Sequence, residues 1–291
     1  MTASLVLQVA LGGLLMGLVY ALVAAGLSLI FGLMDVVNFA HGELLMLAMY
    51  ATFFISTWFG LDPLLQLPIV AALLFLVGVA IYRLLISRAL AVRFNSGMVQ
   101  IFVTFGLSIF LVGAAQTAFG SDFRSVTTGI LANRVVQIGD IVLPLPQLAA
   151  GLICLLAFAA LAAISRTEFG RALEATREDR DAVALIGIDR DRIFSIGWGI
   201  GAAAVGIAGV MLATFYYISP TVGGGFALIA YVTVALGGFG SLVGALVAGL
   251  LVGVVEAMTA LVIDPSLKQV GVFVIYLLVL TVRPRGLFGR L

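Results

Sequence analysis

Seven stretches of the chain, roughly 5–33, 39–60, 64–86, 97–120, 141–164, 193–219 and 267–282, are apolar for about the 20 residues that a helix needs to cross a bilayer. An eighth, 226–262, is too long for one crossing and is rich in glycine at its centre. The runs lack the alternation of barrel strands, so they predict helices. Apolar residues make up 63% of the 291 and charged residues 10%, and the mean hydropathy is +1.25. A soluble domain could not hide that much apolar side chain. The composition excludes a soluble enzyme, a disordered chain and a nucleic-acid binder. Met1-Thr-Ala-Ser lacks the basic region of a cleavable signal, and the single cysteine, Cys154, permits no internal disulfide.

Orientation follows from the arginines and lysines of short loops, which remain on the cytoplasmic side. Twelve of the fifteen basic residues lie in three stretches, 83–93, 166–192 and 283–290. Placing all three inside requires an even number of passes between the sixth run and the last. The stretch 226–262 must therefore turn back, and its natural break is Gly237-Gly-Phe-Gly-Ser-Leu-Val-Gly244. The piece before it, Phe226 to Leu236, is about 17 Å long as a helix, a half-span. Counting back, the N-terminus falls outside. A second break is expected at Phe31 to Glu43, where two long runs meet across almost no loop. Paired interruptions, one in each half, beside small-residue-rich runs one and six of opposite sense, predict an inverted repeat around a central site. The fold expected is an all-α polytopic membrane protein with about eight spanning helices, a broken half-helix and an inverted repeat, in one transmembrane domain over 1–291.

Enzymatic chemistry finds little support. The one histidine, His41, excludes a two-histidine zinc site, and His41-Gly-Glu43 is no metalloprotease motif. There is no nucleophile elbow and no phosphate-binding loop. No metal or cofactor is expected. What remains are rare polar groups beside apolar runs. Asp35, Asn38, His41 and Glu43 cluster at the first break. A charge at bilayer centre costs roughly 2.5–3.5 kcal/mol, so such groups face a cavity or a partner. Asn38 is expected to cap the following helix, with Glu43 in its first turns; the same groups are candidates to line a solute path. Glu256 is the other intramembrane carboxylate, either on that path or at the outer interface. Gly237, Gly238 and Gly240 predict unwound backbone whose open groups, with Ser241, could hold a polar solute. Glycines four apart (Gly13/Gly17, Gly197/Gly201, Gly240/Gly244, Gly249/Gly253) predict close helix packing.

Between runs five and six, Ser165-Arg-Thr-Glu168 reads as a capping box opening a helix, and Gly187 as its closing residue. Ala172, Ala175, Ala182 and Ile186 fall on one face; Arg171, Glu174, Glu178 and Asp181 fall on another. Such an amphipathic helix either docks a cytoplasmic partner or lies on lipid headgroups, and composition does not choose.

Gly17-Leu-Val-Tyr-Ala-Leu-Val-Ala-Ala-Gly26 and Ile30-Phe-Gly-Leu-Met-Asp-Val-Val-Asn-Phe-Ala-His-Gly-Glu43 resemble the opening of the branched-chain amino acid ABC importer permeases, in particular their H-type subunits. The stretch 170–188, Ala235-Leu-Gly-Gly-Phe-Gly-Ser-Leu-Val-Gly-Ala245 and Arg283-Pro-Arg-Gly-Leu-Phe-Gly289 are similar to later segments of the same family. The resemblance runs nearly end to end. It implies a multi-pass permease of the bacterial inner membrane, paired with a second homologous permease, driven by two cytoplasmic ATP-binding subunits and fed by a periplasmic solute-binding protein. The solute implied is a branched-chain or related amino acid, moved by alternating access; urea, short amides or aromatic acids would suit the same family. The loop 165–192 becomes a coupling loop, with Glu168, Gly170, Arg171, Glu174, Ala175, Asp179, Asp181 and Gly187 as its candidate residues. Its sequence departs from the common Glu-Ala-Ala…Gly spacing, since Thr176 follows Glu174-Ala175. The translocation candidates are Asn38, His41, Glu43, Gly237, Gly238, Gly240, Ser241 and Glu256. A rival from another class is a self-sufficient transporter coupling protons through Glu43, His41 or Glu256.

Overall fold

The computed structural model describes residues 2–34, 37–92, 96–178, 182–185 and 187–289. In chain order the helices are α1 (Ala3–Met34), α2 (His41–Phe59), α3 (Pro63–Ile81), α4 (Ser87–Leu90), α5 (Ser96–Phe119), α6 (Leu145–Ile164), α7 (Glu168–Glu178), α8 (Ala182–Leu185), α9 (Arg190–Ala213), α10 (Val222–Gly237), α11 (Leu242–Val262) and α12 (Lys268–Val282). A π-helical turn, Tyr82–Ile86, joins α3 to α4, so one span runs over Pro63–Leu90. Eight helices among the described residues are long and apolar enough to cross a membrane, and α10 is a shorter ninth apolar helix. The expected all-α polytopic architecture is present.

Local chemistry sets the boundaries. Gly60, in the left-handed region, closes α2 by donating its N–H to Ser56 O at 3.0 Å. Asp62 accepts from Leu64 N at 2.9 Å and Pro63 supplies the first turn of α3. Gln66 Nε2 then ties that turn to Ser56 Oγ and Leu61 O, each at 2.7 Å. Asp189 caps α9, and Tyr82 Oη in the π turn donates to Asp191 at 2.9 Å, fastening the third span to α9. Between α11 and α12, Ser266 donates from its hydroxyl and its amide to Asp264, holding that carboxyl below its usual range.

Three expectations need correction. The fifth run starts later than 141, because Ile141–Pro144 is a strand paired antiparallel with Val135–Ile138 about the Gly139-Asp140 turn. The sixth run stops at Ala213 rather than 219; the aromatic segment behind it is a turn that bonds across to Arg124, which exchanges backbone hydrogen bonds with Ile218 at 2.9 and 2.8 Å. The capping box does not form: Ser165 Oγ donates back to Ala162 O, and Thr167 takes the position before α7. Of the amphipathic helix, α7 and α8 are described, with 179–181 outside the described residues, so Asp179 and Asp181 have no described position.

In lipid, apolar surface alone drives no helix together, so small residues that let backbones approach decide the packing. The Gly13/Gly17 strip of α1 faces the Gly249/Gly253 strip of α11: a Cβ on Gly13 would lie 2.8 Å from Gly253 O, and one on Gly17 2.8 Å from Gly249 O. The α1–α11 and α3–α9 pairs are the longest in the molecule, while α2 lies on α9 and α10 on α1. Exchanging α1-α2-α3 with α9-α10-α11 interchanges these pairings, as an inverted repeat requires. The break equivalent to that before α2 is accordingly the turn 214–221 before α10. The Gly237–Gly244 segment has another position, at the far end of α10; Gly240 belongs to the turn, while Gly244, in the first turn of α11, packs on Gly237.

Candidate translocation site

His41 opens α2 and is fully buried; its Nε2 lies 2.9 Å from Val23 O, so that nitrogen carries the proton and donates. From Val23, α1 continues to Met34 over about 16 Å of helix. The chain therefore folds back into the bilayer after α1, and α2 begins near mid-depth. Asn38 does not cap α2 as expected. Its Oδ1 accepts from Ala40 N at 3.0 Å two residues on, and its carbonyl accepts from His41 N at 3.2 Å and from Tyr231 Oη of α10 at 3.0 Å. Asp35 lies outside the described residues.

Beside this start lies the start of α10. Gly42 and Gly223 pack backbone to backbone: a Cβ on Gly42 would overlap Gly223 O, and one on Gly223 would sit 2.5 Å from Gly42 O. The two helices thus begin against each other, α2 running outward and α10 inward. Both direct the positive ends of their dipoles at one place. Glu43 occupies it. Its residue is 4% exposed, its Oε1 accepts from Ser108 Oγ of α5 at 3.2 Å, and its Oε2 would be 2.5 Å from a Cβ on Gly223, with no hydrogen-bond donor among the described residues. A carboxylate there is stabilised by two helix ends and retains one open acceptor. It can take a proton, an ammonium group or a polar solute.

The other candidates lie elsewhere. Glu256 belongs to an outer cluster: Tyr20 Oη donates to Oε2 at 2.6 Å and Lys268 Nζ lies 2.8 Å from Oε1. Nearby is a cavity of about 300 Å³ bordered by Tyr20, Tyr216, Tyr217, Thr221 and Lys268, reaching Val222 and Gly225 at the start of α10. Gly237, Gly238, Gly240 and Ser241 lie at the opposite, arginine-rich end. Their backbone is unwound as expected, but its groups are occupied. Leu287 N donates to Leu236 O at 2.7 Å, Phe288 N to Gly237 O at 3.0 Å and Ser241 N to Gly238 O at 3.1 Å. Ser241 Oγ caps α11 by accepting from Gly244 N at 3.0 Å. The C-terminal tail, not a solute, completes α10.

Above this turn lies the loop 165–192, the candidate coupling loop. Gly170 packs on Ser165 O, and Gly170 and Thr176 are buried, so one face of α7 is spent on its own bundle. Glu168, Arg171 and Glu174 are exposed, Ala175 half-buried, and Gly187 (φ 81°) turns the chain after α8. The side chain of Arg177 lies on Gly240 and Gly32, joining α7 to the turn after α10 and to α1. The sequence candidates thus form three groups, at mid-depth, at the outer side and at the cytoplasmic end, linked by α10. Ser108, Tyr231, Tyr20 and Arg177 were missed; the run Gly223-Gly-Gly225 was the available signal for the start of α10.

The family described as branched-chain amino acid transport system, permease component, matches residues 9–282. The chain is 33% identical to the high-affinity branched-chain amino acid transport system permease protein BraD of Pseudomonas aeruginosa, over 98% of this chain and 96% of the relative. It is 32% identical to LivH of Escherichia coli, over the same shares. The similarity extends, at 25% identity over 85% of this chain and 79% of the relative, to a probable branched-chain amino acid transport permease of Methanocaldococcus jannaschii. No solved structure matches. The chain belongs to the permease components of branched-chain amino acid transport systems, membrane transport subunits rather than enzymes, whose ATP-binding and solute-binding functions lie on separate proteins.

Proposed function

We propose that this chain forms one half of the pore of an inner-membrane importer for branched-chain or related aliphatic amino acids. A second homologous permease supplies the other half, two ATP-binding subunits dock on the cytoplasmic side, and a periplasmic binding protein delivers the solute. The pore is a single transmembrane domain with the coupling loop 165–192 as its driven element. Asn38, His41 and Glu43 form the mid-depth section of the path. Glu43 is the group a solute meets, while His41 and Asn38 hold the two helix starts in place. Glu256 maintains the outer entrance. The Gly237–Ser241 turn is the hinge on which α10 moves, and Leu185 of α8, 89% exposed, is the apolar knob offered to an ATP-binding subunit.

One observation carries this reading. The α10 helix has its first turn against Glu43 at mid-depth, and the turn that follows its last residue lies under Arg177 of the coupling loop, so a displacement at one end is a displacement at the other. A pore that selects little needs few charged groups, since a ligand shifts the two-state equilibrium only by its differential affinity. The test is uptake of labelled L-leucine into proteoliposomes holding the complete assembly. Uptake that requires binding protein and ATP, and that falls about tenfold or more in Glu43→Gln at unchanged folded yield, is expected. Uptake by this chain alone under a proton gradient would establish the secondary-transporter alternative instead.

A further inference from the structure

A cavity of about 570 Å³ lies at the cytoplasmic end between α1, α7, the start of α11 and the C-terminal tail. Three positive features converge on it, beside one carboxylate of the lining, Glu174 of α7. Arg177 and Arg285 line it, and neither has an ion-pair partner among the described residues. The third is the N-terminus of α11, a helix of 21 residues. Ser241 caps only Gly244 N there, and the amides of Leu242 and Val243 have no acceptor among the described residues. A helix start favours an anion through its free amides and its dipole. A fourth feature is independent of charge: Ser28, a residue 1% exposed, borders the same cavity, and its buried Oγ has no hydrogen-bond partner among the described residues. A buried hydroxyl is rarely left so unless something else meets it.

The rest of the lining identifies the kind of anion. Leu29, Phe239, Leu242 and Phe288 make an apolar floor, and Val243, 60% exposed, extends it onto the outer surface of α11. The cavity is therefore polar and positive toward the cytoplasm and apolar toward the acyl chains. We propose that it holds the phosphate of an anionic inner-leaflet phospholipid, with Arg177, Arg285 and the α11 amides as its donors. Basic pockets between helices on this side of a membrane suit such headgroups. The volume exceeds what a free phosphate would fill, and the apolar floor would be wasted on one. Because the same cavity touches the coupling helix, the hinge and the tail, the bound lipid sets how firmly those three parts move together.

The test uses the purified importer assembly. Native mass spectrometry in mixed phosphatidylglycerol and phosphatidylcholine measures which lipid stays on this subunit, in the wild type, in Arg285→Gln and in Arg177→Gln/Arg285→Gln. Arg285 is exposed, so its single variant keeps the fold. Retention of one phosphatidylglycerol per chain is expected, weakened several-fold in the single variant and roughly tenfold to thirtyfold in the double one, with Arg177→Lys/Arg285→Lys retaining most of the binding. In phosphatidylcholine nanodiscs, added phosphatidylglycerol should raise solute-stimulated ATPase activity in the wild type and not in the double variant. Equal retention of phosphatidylglycerol in wild type and double variant would overturn the proposal. So would displacement of the lipid by millimolar inorganic phosphate, which would make the site one for a free anion.

Discussion

The chain is interrupted beside a half-helix at both ends of α10, and the two interruptions obey different rules. At the start, the polar groups Asn38, His41 and Glu43 are drawn into the bilayer beside Gly223, and an acceptor oxygen of Glu43 is left open. At the far end, glycines unwind the backbone near the cytoplasm, and Leu287 N and Phe288 N return to close the Leu236 and Gly237 carbonyls. An unsatisfied polar group in hydrocarbon costs several kcal/mol, so the first arrangement persists only where something is to be met there. The second is a joint. A broken helix in a membrane is thus not by itself a binding site; the accounting of its hydrogen bonds separates a site from a hinge.

The contrast can be broken most forcefully at the mid-depth junction. Gly42→Leu has no room against Gly223 and should cost about 3 kcal/mol or more, near the upper end for overpacking. Gly224→Leu, one position along at a backbone with open space around it, should leave the fold intact. Folded yield and protease resistance of the two variants check this, and equal tolerance would mean that the helix starts are not in contact. Next in size, ending the chain after Pro284 removes the donors Leu287 N and Phe288 N. That should cost about 2–3 kcal/mol locally and speed amide exchange over 234–241 far more than over 38–44. Faster exchange at both places alike would dissolve the distinction between hinge and site. The smallest effect is expected from Ser241→Ala, which removes one cap from α11 at about 1 kcal/mol. It should lower the melting temperature slightly and leave the uptake KM unchanged. A raised KM would return Ser241 to the solute path.

Much of this architecture was legible in the residues. Parity of the arginine-bearing loops required a half-span near 226–236, and α10 covers 222–237. Glycine strips predicted close packing, and those of α1 and α11 meet each other. The misses have physical reasons. Thr214-Phe-Tyr-Tyr-Ile-Ser219 is as apolar as a helix and was read as one, although Pro220 and the following glycines mark a re-entrant turn, and this hid the true counterpart of the first break. Ile141-Val-Leu-Pro144 is apolar too, but Gly139-Asp140 folds it into a hairpin. Long-range partners have no local signature. Nothing around Asn38 announces Tyr231, nothing around Glu256 announces Tyr20, and the tail sequence 283–289 does not say that it finishes a helix fifty residues earlier.

That last pairing has a bearing on biogenesis. Ribosomes deliver the chain from the front, so α10 enters the bilayer with its final turn unsealed and stays so until the closing residues have been translated. A product that stops before Leu287 therefore carries a half-helix whose last two carbonyls lack these donors.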